Sequence, residues 1–206
     1  MRYRALSFDF DGTLVASADA KRQAFFDIFP DGEEHRAAIA AILRDDPDGS
    51  RHRVIPRMLE TMRAKALPLR PGDTVEQRLE AYATTALDAV RNCPELPGAG
   101  DLLRSLSQAG VGIFVCSNTP HETLLGLLRD RGWDSHVDDC FGYPHDKAQS
   151  IATILARLGL KASELAVVGD GVSDAEAAAA NGCPFFQIAV ASDLMRHAKT
   201  WEIVGV

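Results

Sequence analysis

Beyond residue 95, short apolar runs alternate with helix-forming segments, and this alternation leaves few architectures open. Strands are predicted at residues 111–116, near 137–141, at 165–168 and at 185–189. Helices are predicted at 99–109, 122–131, 148–158 and 174–180. Strand–helix–strand connections within one sheet form right-handed crossovers between parallel strands. The runs Val-Gly-Ile-Phe-Val-Cys and Leu-Ala-Val-Val-Gly are apolar throughout, as strands covered on both faces must be. An earlier apolar run, residues 4–10, supplies a first strand closed by Asp-Gly. The expected fold is α/β, a doubly wound parallel sheet with helices on both faces.

Between this first strand and the alternating region the texture is helical. Helices are predicted at 20–29, 33–44, 54–66 and 74–92. Turn signals separate them: Pro30-Asp31-Gly32, Asp46-Pro47-Asp48-Gly49 and Pro68-Leu69-Arg70-Pro71-Gly72. Four helices with no strand among them read as a bundle inserted into the α/β fold. The expected domains are an α/β core of residues 1–15 and 95–206, and a helical domain of residues 16–94.

Composition excludes several classes of function. At 46% hydrophobic and 25% charged, the chain matches an ordinary globular protein and needs no disulfide or zinc to hold a core. A net charge of −7 argues against a nucleic-acid partner, which calls for clustered cations. Cys93, Cys116, Cys140 and Cys183 show no metal-ligand spacing, and three lie in or beside apolar runs where free thiols behave as small hydrophobes. No signal-like segment and no apolar stretch of about 20 residues is present, so no membrane association and a cytoplasmic location are expected.

The polar residues fall where strands end. Asp9 and Asp11 follow the first strand, Ser117-Asn118-Thr119 the second, and Gly169-Asp170 through Asp174 a later one, while Lys147 precedes a predicted helix. In a parallel sheet these groups collect beyond the carboxyl ends of the strands, where ligands bind. Gathered carboxylates about 4 Å apart repel by ~4 kcal/mol at an effective dielectric near 20, so they protonate or recruit a cation. An all-oxygen site suits Mg²⁺. Taken singly, each residue has a plainer reading. Asp-Gly closes turns, Asp174 could be a helix N-cap, Ser117 and Asn118 could merely end a strand, and Lys147 could be a solvated lysine. His121 and His145, beside these motifs, read as partly exposed loop residues, and Arg51, His52 and Arg53 as a solvated helix face.

Together, in this order, the segments resemble the haloacid dehalogenase-like (HAD) hydrolase superfamily, in its phosphatase branch that includes phosphoglycolate phosphatase and β-phosphoglucomutase. Asp9-Phe10-Asp11-Gly12-Thr13 is similar to the first family motif and Ser117-Asn118 to the second. Lys147 stands for the third, and Gly169-Asp170 through Asp174 for the fourth. The resemblance implies a Rossmann-like core with the helical segment as a cap. It implies an enzyme, a phosphoric monoester hydrolase acting on a small phosphorylated metabolite, as monomer or homodimer. Asp9 would be the nucleophile and form an aspartyl-phosphate, Asp11 the general acid and base, and Lys147 a catalytic cation. Ser117, Asn118, Gly12 and Thr13 would contact substrate. Mg²⁺ would be held by Asp9, the Asp11 carbonyl, Asp170 and Asp174. The chain departs from many relatives in having Ala148 rather than proline after Lys147, and Ala16-Ser17 rather than Asp-Ser after the first motif. A phosphomutase, a phospho-accepting signalling domain and a catalytically silent binding fold remain as alternatives.

Overall fold

The computed structural model describes residues 3–47 and 49–201, so Asp48 of the second turn signal lies outside the described residues. The chain divides into two compact units, Met1–Ala16 with Pro94–Val206, and Ser17–Cys93.

The first unit is built on a five-stranded sheet of β1 (Ala5–Phe8), β2 (Gly112–Pro120), β3 (Asp139–Tyr143), β4 (Leu165–Gly169) and β5 (Phe185–Gln187). Strand order is β3-β2-β1-β4-β5, and every neighbouring pair is parallel. All residues of β1 and β4 are buried, which explains their unbroken apolar character. Successive side chains point to opposite faces. Ala5, Phe114, Cys116, Leu165 and Val167 share one core cluster with Ile151, Ile154, Ala177 and Ala178. These last four come from α7 (Lys147–Leu158) and α8 (Val172–Asn181). The alanine run of α8 lets it lie close on the sheet. Phe8 packs edge-on to Trp201, with ring centroids 6.1 Å apart. Burial of each such side chain stabilises the fold by about 1.5–3 kcal/mol. The remaining helices of this unit are α5 (Ala99–Gln108), α6 (His121–Asp130) and α9 (Asp193–Ala198); the last was not anticipated from sequence.

The second unit consists of α1 (Ala18–Asp27), α2 (Glu33–Asp45), α3 (Arg51–Ala64) and α4 (Val75–Asn92). Helix α3 starts three residues before its predicted start because Ser50 caps it, accepting from the His52 amide. Thr74 and Gln77 form a reciprocal capping box that fixes the start of α4. Ile39, Ile55, Met58, Leu59 and Met62 form the centre of its own core. Arg78 is buried there, paired with Asp73 and donating to the Ile28 carbonyl. Arg53 pairs with Asp46, as an exposed first-turn cation does.

Candidate active site

The chain winds outward from β1 through β2 and β3, then returns to the other side of β1 for β4 and β5. The reversal lies between β1 and β4, and a ligand crevice forms beyond the carboxyl ends of the strands at such a point. Asp9 directly follows β1 and Asp170 directly follows β4, in strands paired through Phe8 and Val168. The Asp9 amide extends the ladder, donating to the Val168 carbonyl at 2.8 Å.

Asp9, Asp170 and Asp174 each offer a carboxylate oxygen, and these oxygens lie within 4.8 Å of one another. Lys147, the first residue of α7, is buried, not solvated. Its Nζ lies 2.7 Å from Asp174 Oδ1 and 3.0 Å from Asp9 Oδ1. Asp174 is the third residue of α8, not its N-cap. Its Oδ2 accepts from the Gly171 amide at 3.2 Å while its Oδ1 takes the lysine, so one side chain anchors the helix start and orients the cation. Gly12, at φ 78°, turns the chain back under the cluster, and a Cβ there would collide with the Asp170 carboxylate. Thr13 is fully buried, with its hydroxyl 3.5 Å from Asp170 Oδ1.

Asp11 is not among the three clustered carboxylates. β2 does not end at residue 116: it continues through Ser117, Asn118 and Thr119, because pairing with β3 resumes after a register shift, with Pro120 opposite Tyr143. Ser117 is buried and its Oγ accepts from the Thr119 amide, whereas Asn118 is exposed. Asp11 is half-buried, and its Oδ2 accepts from the Thr119 hydroxyl at 2.8 Å. His121 opens α6 instead of lying in a loop, and its ring meets that of the exposed His145 at 5.4 Å. Thr119 had no sequence-derived role, although it follows directly on the second motif. Gly142 was also missed, although a glycine inside a strand signals close backbone approach. A Cβ there would lie 2.6 Å from the Thr119 carbonyl oxygen.

Electrostatics set the chemistry. Burial, foremost, pushes the Asp9 carboxyl up to about 8; Lys147 opposes this, and Asp174, Asp11 and Asp170 add to it. Burial likewise raises Asp170. Burial alone would lower the Lys147 ammonium, but Asp9 and Asp174 outweigh it and hold the group above its ordinary range. When ionised, the three carboxylates face one ammonium, leaving two negative charges uncompensated, the charge of one Mg²⁺. Asp9 Oδ1 is buried and accepts no well-directed hydrogen bond, despite its nearness to Lys147. An all-oxygen donor set with this deficit fits a hard divalent cation. None of the four cysteines is in a disulfide, and burial pushes the thiols of Cys116 and Cys140 up to about 12 and about 11, so these two offer no rival nucleophile.

A family model described as haloacid dehalogenase-like hydrolase matches residues 3–182. The chain belongs to this family. Among curated relatives it is 32% identical over 184 residues to tyrosine-protein kinase PtkA of Mycobacterium tuberculosis, covering 85% of this chain but 58% of that protein. It is 29% identical over 192 residues to phosphoglycolate phosphatase of Pectobacterium atrosepticum, covering 87% of this chain and 77% of the relative. A predicted phosphoglycolate phosphatase structure from Haemophilus somnus superposes with a TM-score of 0.70 at 19% identity, covering 91% of this chain and 85% of its own. A putative β-phosphoglucomutase from Thermotoga maritima gives 0.64 at 19% identity, covering 89% and 84%. The HAD-like fold and family are thereby established. Among the described residues, no helix is long and apolar enough to cross a membrane.

Proposed function

We propose that the chain hydrolyses a small phosphate monoester through an aspartyl-phosphate on Asp9. The observation that carries this reading is the convergence of Asp9, Asp170 and Asp174 on one point, with Lys147 bridging two of them. An Asp9 oxygen attacks phosphorus, and the bond from phosphorus to the ester oxygen breaks. Asp11 gives its proton to the departing oxygen, which leaves as an alcohol. Water then attacks the same phosphorus and passes a proton to Asp11. The bond between Asp9 and phosphorus breaks, inorganic phosphate leaves, and the enzyme is restored.

Lys147 holds the Asp9 carboxylate in place and lies where it can neutralise charge on the transferring oxygens. Asp9, Asp170 and Asp174, with the Asp11 carbonyl, would hold Mg²⁺. Its positive charge would offset the repulsion between an anionic nucleophile and an anionic substrate. The backbone at Gly12, Thr13 and the Ser117-Asn118 segment is assigned to phosphate binding. The Ser17–Cys93 unit is assigned the role of a cap that selects substrate.

The test is phosphate release from a metabolite panel with and without Mg²⁺. Phosphoglycolate comes first in that panel, because it names two of the curated relatives. Mg²⁺-dependent release from one or more monoesters supports the reading. Isomerisation of a sugar phosphate without net release makes the protein a mutase. Transfer of label from ATP to protein tyrosine, the activity that names PtkA, with no phosphate release from any ester, overturns it.

A further inference from the structure

Thr119 lies outside the three-carboxylate cluster and outside every motif of the family pattern, yet it is 7% exposed and its hydroxyl donates to Asp11 Oδ2 at 2.8 Å. Two irregularities of the backbone produce this contact. The register of β2 shifts between Cys116 and Pro120, and Ser117 Oγ accepts from the Thr119 amide at 3.1 Å within the shifted stretch. Gly142 on β3 leaves room for the segment, since any side chain there would strike the Thr119 carbonyl and the His121 backbone. Asp11 itself stands in a turn beyond β1, closed by the Gly12 amide donating to the Val15 carbonyl at 2.8 Å. That turn fixes the backbone, and the buried Thr119 hydroxyl, donating to one carboxyl oxygen, acts on the plane of the side chain.

We propose that Thr119 is a positioning residue for the proton-transferring carboxyl of Asp11. Its hydroxyl donates to Oδ2 and so helps to fix the direction in which the carboxyl delivers and recovers the proton. The inference rests on the proposed function and names a residue that the family motifs do not. In the first half-reaction the proton of the Asp11 carboxyl passes to the departing alkoxide as the ester bond to phosphorus breaks. In the second, the attacking water returns a proton to the same carboxyl. With Oδ2 held, the plane of the carboxyl need not be searched at each turnover. Loss of orientation alone costs rate even when the acid itself is intact.

The test uses the dependence of rate on leaving group. An alkoxide must be protonated as it departs, whereas p-nitrophenolate leaves readily without a proton. In Thr119→Val, kcat/KM for glycerol 2-phosphate, which reports only the half-reaction in which the alcohol departs, should fall about ten- to a hundredfold, the range for losing one hydrogen bond to a charged group. With p-nitrophenyl phosphate it should fall less than about threefold. Thr119→Ala should give the same selectivity, which guards against a shape effect of valine. Thr119→Ser should restore both rates. Equal losses on the two esters, or no loss on either, would overturn the assignment. Asp11→Asn is the control for the reading beneath it. If Asp11→Asn lacks the leaving-group selectivity, the acid assignment fails, and with it this inference. If Asp11→Asn has the selectivity and the Thr119 variants lack it, the role of Thr119 alone fails.

Discussion

At the scale of single residues, the site is a balance of buried charges. Lys147 is the residue on which the balance turns, because it touches both Asp9 and Asp174 from a buried position. Lys147→Met should lower turnover about 10²–10³-fold, comparable to loss of one oxyanion donor. It should also deepen the charge deficit of the cluster, so that added Mg²⁺ raises the melting temperature more in the variant than in the wild type. Wild-type turnover, or an unchanged response to Mg²⁺, would contradict this account. The sequence identified this lysine by its place in the motif order, but an isolated lysine at a helix start carries no local sign of burial. Asp174 was ambiguous for the same reason. Its carboxylate serves the helix start and the cluster together, and only the fold reveals the second contact.

At the scale of elements, strand periodicity and turn signals located all five strands and the four helices of the inserted unit. The errors have physical causes. β2 was ended at the first polar residue, because a pattern reading takes Ser-Asn-Thr as a strand stop. Pairing with β3 instead continues past a register shift, and no single-strand pattern can foresee its partner's backbone. α9 is six residues long, too short to impose a helical period. The close approach of β2 and β3 gives an element-scale prediction. Gly142→Ala should displace the segment carrying Thr119 and His121, since the added carbon meets backbone atoms that cannot rotate away. Overpacking of this kind costs about 1–3 kcal/mol, visible as a melting temperature lowered by several degrees. An unchanged melting temperature together with unchanged turnover would show that the two strands have slack there.

At the scale of the whole molecule, an α/β core and a helical insertion were legible from the chain because each has its own hydrophobic period. What lay beyond reach was which side chains touch which. Acid tolerance offers a test of the core away from the cluster. Asp193 accepts from the amides of Val190 and Ala189, and these hold its carboxyl below the usual range. A carboxyl lowered on folding adds stability above its unfolded value, about 3.9, and loses that contribution as pH falls through its folded value. The stability gap between wild type and Asp193→Asn should therefore be widest near neutral pH and shrink below pH ~4, as followed by thermal melts across pH. A gap independent of pH would mean that the carboxylate charge is not what stabilises the turn.

The most direct measurement is reductive trapping during turnover, in which borohydride converts an acyl phosphate to the alcohol and peptide mass spectrometry locates the change. The account predicts homoserine at position 9, formed only in the presence of substrate and Mg²⁺ and absent from Asp9→Asn. A trapped adduct on any other residue, or brisk turnover with no trappable adduct, would contradict it.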